Sequence, residues 1–300
     1  MNFLSSKDLT AAQITKIFSI SDSLKDRSKK PLSAAAPILA LLFEKASTRT
    51  RVSFESAMLQ LGGRSIYLDA HTSQISRGET LGDTARVLSS YVDIIAARMY
   101  KHSDIEEFAA SCAVPVINAL TDLEHPCQAL SDAYTIMQVF GKLKGLRIAF
   151  VGDIAANTAN SLMLTCTKLG AQISLIGPDG YEPNMDYVNA SIRYATVEVS
   201  DSLSDGLSGC DVIYTDTFIS MGQESEAAKR RKLFAGYQVN DRILKYAKKG
   251  VKVMHCLPAH RGEEITSQVL DGPSSIAWQQ AANKMVVEKA ILLYLLGKEK

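Results

Sequence analysis

The stretch Ser47-Thr48-Arg49-Thr50-Arg51 sets three hydroxyls and two guanidiniums side by side, between an apolar run and a segment with helical spacing. A helix start gathers unpaired backbone N–H groups and the positive end of the helix dipole. Hydroxyls and arginines there add further donors, some of them charged. Such a combination suits a phosphate, held without the glycines of a phosphate loop. The same residues also read as a plain helix cap beside two solvated arginines.

Other polar residues fall at comparable places. Arg98 lies in the apolar run Ile94 to Met99, and His125 and Gln128 follow the run Val114 to Leu120. Asn157 follows Arg147 to Val151, Asp216 follows Val212 to Thr215, and Cys256 lies in Val251 to Leu257. Taken singly, each has a structural explanation. An arginine ending a strand is usually exposed, a lone histidine is more often structural, an aspartate caps a helix, and a free cysteine fills a core. Taken together, they lie at or just after the ends of runs that read as strands, which is where open α/β sheets bind ligands.

The positioning elements follow from the pattern of apolar runs. Ile38 to Phe43, Ser65 to Leu68, Ile94 to Met99, Val114 to Leu120, Arg147 to Val151, Ile173 to Ile176, Val212 to Thr215 and Val251 to Leu257 read as strands, with helical patterns between them. Continuous apolar runs mark strands buried on both faces, and helical crossovers join parallel strands, so the expectation is α/β with two doubly wound parallel sheets. A glycine-punctuated turn, Gly141-Lys142-Leu143-Lys144-Gly145, follows the helix expected from Pro126 to Phe140. It places a boundary between a domain 1–140, rejoined by a C-terminal helix within 281–300, and a domain 141–280. The active site is expected in the cleft between them.

The chain has 300 residues and is 46% hydrophobic, enough for two cores. Lys plus Arg is 33 against 32 Asp plus Glu, and this near balance offers no field that would gather nucleic acid or a membrane surface. Five scattered cysteines without a C-x-x-C pair argue against a disulfide framework and for a reducing cytoplasm. The N-terminus lacks the apolar run of a signal peptide. The strand Arg147 to Val151 is followed by one glycine, Gly152, and not by G-x-G-x-x-G, which argues against dinucleotide binding.

Ser47 to Arg51 resembles the carbamoyl-phosphate signature of the aspartate and ornithine carbamoyltransferases, and the other segments resemble that family's remaining motifs in order. The resemblance implies that Ser47, Thr48, Arg49, Thr50, Arg98, His125, Gln128, Cys256, Leu257 and Lys284 contact carbamoyl phosphate. It implies too that the loop His71 to Glu79 carries Gln74 into a neighbouring subunit's site, in a homotrimer or a multiple of one. Asp216-Thr217-Phe218-Ile219-Ser220-Met221-Gly222 is similar to the family's amino-acid loop, giving Asn157, Asp216, Ser220 and Met221 as contacts to ornithine. His255-Cys256-Leu257-Pro258 stands where the aspartate branch reads H-P-L-P, which favours ornithine as acceptor, with putrescine or an acylated ornithine as the rival. Arg98, His125, Asp216 and Cys256 are the groups implied for the chemistry, with no metal or organic cofactor required. Two places depart from the pattern. Ala156-Asn157 replaces a pair of asparagines, and Ala281-Ala282-Asn283-Lys284 stands where A-E-N-R is usual. A lysine keeps the charge there but loses the planar fork of an arginine.

Overall fold

The computed structural model describes residues 1–25, 36–219 and 224–298. They form two compact units, Met1–Tyr134 with Asn283–Lys300 (unit 1) and Thr135–Ala282 (unit 2). Unit 1 holds four strands, β1 (Ile38–Phe43), β2 (Arg64–Asp69), β3 (Ile94–Arg98) and β4 (Val116–Leu120), in the order β2-β1-β3-β4. Unit 2 holds five, β5 (Arg147–Val151), β6 (Gln172–Ile176), β7 (Val197–Ser200), β8 (Val212–Thr215) and β9 (Lys252–His255), in the order β7-β6-β5-β8-β9. Every paired ladder is parallel. Both units are therefore doubly wound α/β sheets, as the runs of apolar residues predict.

The central strands are buried along almost their whole length, β3 and β8 at every residue. Their side chains pack against the crossover helices. Ala40, Leu42, Ile95, Ala97 and Phe108 share one core in unit 1, and Val151, Ile213, Val239, Val253 and Leu270 share one in unit 2. Strand β7 was not expected from the sequence. It lies at a sheet edge with Glu198 and Val199 exposed, so Val197-Glu198-Val199-Ser200 carries no continuous apolar run to betray it.

In each sheet the order turns back at one place, between β1 and β3 in unit 1 and between β5 and β8 in unit 2. At these places the helices leave on opposite faces and open a crevice beyond the strand ends. The registers line the ends up. Phe43 pairs with Arg98 and Arg98 with Leu120 in unit 1, while Val151 pairs with Thr215 and Thr215 with His255 in unit 2. The candidate residues thus enter from neighbouring strand ends.

Candidate active site

In unit 1, the helix Thr48–Gln60 begins directly beyond β1. Ser47 is its N-cap, accepting from the Thr50 amide at 3.4 Å and donating its hydroxyl to Thr50 Oγ1 at 3.1 Å. Thr48 and Arg49 are exposed, whereas Thr50 is buried. The capping and the phosphate-cradle readings of this segment are compatible. The cap accounts for Ser47, and the remaining first-turn donors stay turned outward.

Arg98, the last residue of β3, is only 5% exposed. Burial, and then the charge of Arg49, bring its guanidinium down to about 10, so it remains cationic at neutral pH. Its Nε has no hydrogen-bond partner, and Arg98 forms no ion pair among the described residues. A buried cation with an unused donor and a second arginine nearby is an arrangement that an anion completes.

His125 and Gln128 enter at the start of the helix Pro126–Phe140, where proline suits the first helical position. The preceding turn is clamped from behind. Glu124 is buried and accepts from the Ser5 hydroxyl at 2.5 Å and from the Ser6 amide and hydroxyl, both at 3.0 Å. Asp132, one turn along the helix, accepts from Gln128 Nε2 at 2.8 Å, which leaves Gln128 Oε1 pointing the other way. There it meets Lys284, whose Nζ lies 3.3 Å from Gln128 Oε1 and 3.3 Å from Thr50 Oγ1. Burial, then Lys284, then Arg98 hold the His125 imidazole well below its usual pKa, so it is neutral at neutral pH. Thr50, Arg98, His125, Gln128 and Lys284 are thus gathered into one buried, cationic cluster. Gln74 opens a short 3₁₀ turn, Gln74–Arg77, and is exposed; no described side-chain hydrogen bond ties it to that cluster.

In unit 2, Gly152 follows β5 with φ +121°, and a Cβ there would stand 2.8 Å from the Phe218 ring, so a side chain is excluded twice over. Asn157 opens the helix Asn157–Lys168. Its neighbour Thr158 donates to Asp216 Oδ2 at 2.9 Å, and the other Asp216 oxygen accepts from the Thr217 amide at 2.7 Å. Arg230 donates through Nε to the Phe218 carbonyl at 2.6 Å and pairs through Nη2 with Asp153. Residues 216–218 are therefore fixed at the base of the loop. Ser220 and Met221 lie outside the described residues.

Beyond β9, His255 is fully buried. Its Nδ1 accepts from the Leu257 amide at 2.8 Å, so its Nε2 carries the proton and donates to Glu264 Oε1 at 3.0 Å. Glu264 also accepts from the His260 amide at 2.5 Å. Leu257 has φ +58°, the only positive φ outside glycine among the described residues. That left-handed backbone costs on the order of 1 kcal/mol for a residue with a side chain and persists because His255 holds it. Cys256, half-buried, is presented between them. Ligand atoms of Asp216, His255 and Cys256 lie within 4.8 Å of one another, close enough for a metal ion. Both nitrogens of His255 are already engaged, however, which reserves that histidine for shaping the loop.

Thr158, Asp132, Glu264 and Arg230 hold candidate site residues or their loop in place, and the sequence did not single them out. Their residue types have no signature at those positions, and only the fold brings them to the groups they hold.

Comparison with known proteins covers both units. The family described as "Aspartate/ornithine carbamoyltransferase, carbamoyl-P binding domain" matches residues 1–138, and "Aspartate/ornithine carbamoyltransferase, Asp/Orn binding domain" matches residues 144–295. The chain is 50% identical to an ornithine carbamoyltransferase of Pyrococcus abyssi over 264 residues, 86% of this chain and 83% of the relative. It is 45% identical to that of Bacillus subtilis over 302 residues, 99% and 94% of the two chains. The solved ornithine carbamoyltransferase of Pyrococcus furiosus superposes with a TM-score of 0.93 at 46% identity, covering 99% of this chain and 97% of the other.

Proposed function

The chain belongs to the aspartate/ornithine carbamoyltransferase family, and from that premise we propose that it moves the carbamoyl group of carbamoyl phosphate to the side-chain amine of L-ornithine, releasing L-citrulline and phosphate. The observation that carries the donor half is the buried Arg98, with an unused Nε and no anionic partner among the described residues, in a cluster with Lys284, His125, Gln128 and Thr50.

In this reading the first turn of the helix Thr48–Gln60 holds the phosphate through Ser47, Thr48, Arg49 and Thr50, with Lys284 adding charge. Gln128 Oε1, turned inward by Asp132, accepts from the carbamoyl amide, and Leu257 is a further contact to carbamoyl phosphate. Arg98, the neutral His125 and the Thr50 hydroxyl donate to the carbamoyl oxygen. The ornithine side-chain amine, with a solution pKa near the lysine value of about 10.4, must lose a proton before it can attack. Cys256 orients that nitrogen and helps take its proton, while Asp216, Asn157, Ser220 and Met221 hold the amino-acid end. Attack on the carbamoyl carbon puts negative charge on the oxygen, where the three donors stabilise it. Collapse breaks the bond to phosphate, which leaves into the helix start with its added charge matched by the donors there.

Ornithine as acceptor rests on Cys256 in His255-Cys256-Leu257-Pro258 and on Asp216. A citrulline-forming assay run side by side with ornithine, putrescine, acetylornithine and aspartate tests it. Ornithine is expected to give the highest kcat/KM, and a higher value with any other amine overturns the assignment. Homotrimeric assembly, with Gln74 completing a neighbour's site, belongs to the same proposal. Full activity in a light-scattering monomer overturns it. Cytoplasmic residence is proposed on chemistry, since no disulfide joins any of the five cysteines and Cys256 has to stay reduced to act.

A further inference from the structure

A carboxyl stands behind Lys284 with no part in the scheme above. Glu288, one turn further along the terminal helix Ala277–Leu295, is fully buried, and neither of its oxygens has a hydrogen-bond partner among the described residues. It is the one acidic residue of that helix. Three elements face it. Lys284 comes from the same helix, Cys127 from the helix Pro126–Phe140, and Ser53 from the helix Thr48–Gln60, though Ser53 donates its hydroxyl to the Thr50 carbonyl at 3.2 Å. Lys284 in turn faces His125, close to Arg98. Burial, and then Glu288, hold the Cys127 thiol up, so it contributes no charge. The neutral His125 contributes none either; Asp132, the other buried carboxyl near this packing, accepts from Gln128 at 2.8 Å, and Glu288 is drawn on by the charge of Lys284.

An orphaned buried carboxylate is unfavourable unless a cation compensates it, and a buried ammonium is unfavourable for the same reason. Lys284 departs from the motif this segment resembles, which reads A-E-N-R where this chain has Ala281-Ala282-Asn283-Lys284; Glu288 lies four residues beyond it.

We propose that Glu288 is a positioning residue for Lys284, a carboxyl that offsets the ammonium set on Thr50 and Gln128 where it ionises in the ligand-free enzyme and that takes up a proton from solvent when an anion binds at Lys284. The proposal rests on the reading that this cluster binds carbamoyl phosphate. Burial lifts the Glu288 carboxyl to about 8 even with Lys284, and then the nearby Ser53 hydroxyl, pulling it down, so it is only partly ionised near that pH. A dianion beside Lys284 cancels that pull and adds its own repulsion. Both effects favour the protonated carboxyl, so binding draws in a proton.

Calorimetric titration of carbamoyl phosphate into the full chain near pH 8, in two buffers of different ionisation enthalpy, counts that proton. The wild type is expected to take up a fraction of a proton, with affinity weakening as pH rises, up to a limit of about tenfold per pH unit. In Glu288→Gln the uptake disappears and the affinity is flat over the same interval. In Lys284→Met the carboxyl stays protonated throughout, so uptake is lost there too, and adding Glu288→Gln changes nothing further. Circular dichroism reports folding, and Glu288→Met supplies the comparison if the glutamine variant fails to fold. Uptake that persists in Glu288→Gln places the proton on another group and overturns the proposal. A wild type that binds carbamoyl phosphate and forms citrulline without taking up a proton overturns this proposal alone. One that binds no carbamoyl phosphate overturns the functional reading together with it.

Discussion

Arg98, His125 and Lys284 of unit 1 are buried, and burial with the charges of Lys284 and Arg98 keeps His125 neutral. Asp216 and Cys256 of unit 2 are half-buried and are held by Thr158 and by the loop that His255 shapes. In the proposed reaction the two clusters solve different problems. An anion with a poor carbonyl electrophile has to be met by donors already in place and shielded from water, because reorganising them during reaction would cost the stabilisation they provide. An amine acceptor has to enter, lose a proton and be oriented, which calls for groups that solvent can still reach. The difference teaches where each unit concentrates its sensitivity. Unit 1 should respond most to removal of a charge, and unit 2 to removal of a support.

The comparison breaks first at Arg98. Arg98→Met removes the buried cation with the unused Nε, and kcat/KM is expected to fall about a hundred- to a thousandfold, the range seen for loss of one preorganised donor. A steady-state assay reads it, and a loss below tenfold would mean that the charge of unit 1 is not what binds the developing oxyanion. Cys256→Ala should cost less, about ten- to a hundredfold in kcat/KM for ornithine, at or below the low end for a proton-transferring group, with the KM for carbamoyl phosphate little moved. Equal damage to both KM values would place Cys256 on the donor side.

Glu264→Ala tests a support. Without the carboxylate, His255 is no longer held as the Nε2–H tautomer, and Leu257 loses the acceptor that maintains its left-handed backbone. An unsatisfied buried donor costs about 1–3 kcal/mol, so a loss in kcat/KM of around tenfold or more is expected. Glu264→Gln, which retains an acceptor for His255 Nε2, should recover most of it. If alanine and glutamine behave alike, the loop does not depend on that bond.

How much of this was written in the sequence differs between framework and supports. Strands β1, β5 and β8 were legible to the residue, because burial on both faces forces an unbroken apolar run. β7 was not, since an edge strand with Glu198 exposed needs no such run. Arg98, His125, Asp216 and Cys256 were legible as polar residues at strand ends. Lys284 and Glu288 were harder, because on a helix a charged residue ordinarily marks the solvated face. In the terminal helix they lie instead in the buried stripe Lys284, Val287, Glu288 and Ile291, a face that apolar periodicity alone cannot trace. Thr158, Asp132 and Glu264 act only through contacts made by folding, so no local pattern announces them.

The smallest effect sharpens the contrast through stability and pH. His125 is held below 6.5 by burial, then Lys284, then Arg98, so as pH falls below 6.5 the unfolded chain gains a proton that the folded one refuses, and stability drops. Glu288 works the other way. With the folded carboxyl raised from 4.5 to about 8, the folded state holds a proton the unfolded chain has lost, and stability drops as pH rises across that window. Each slope is at most about 1.4 kcal/mol per pH unit. Below 6.5 the two oppose each other for as long as the folded His125 refuses its proton; above 6.5 only the Glu288 slope remains. Melting temperatures of the ligand-free enzyme at fixed ionic strength should therefore show a plateau and then a decline towards pH 8. Glu288→Gln should remove that decline and tilt the plateau downward on the acid side, whereas His125→Gln should leave the decline and extend it into the plateau. Parallel curves for all three proteins would mean that the charges buried in unit 1 are not coupled to folding at all.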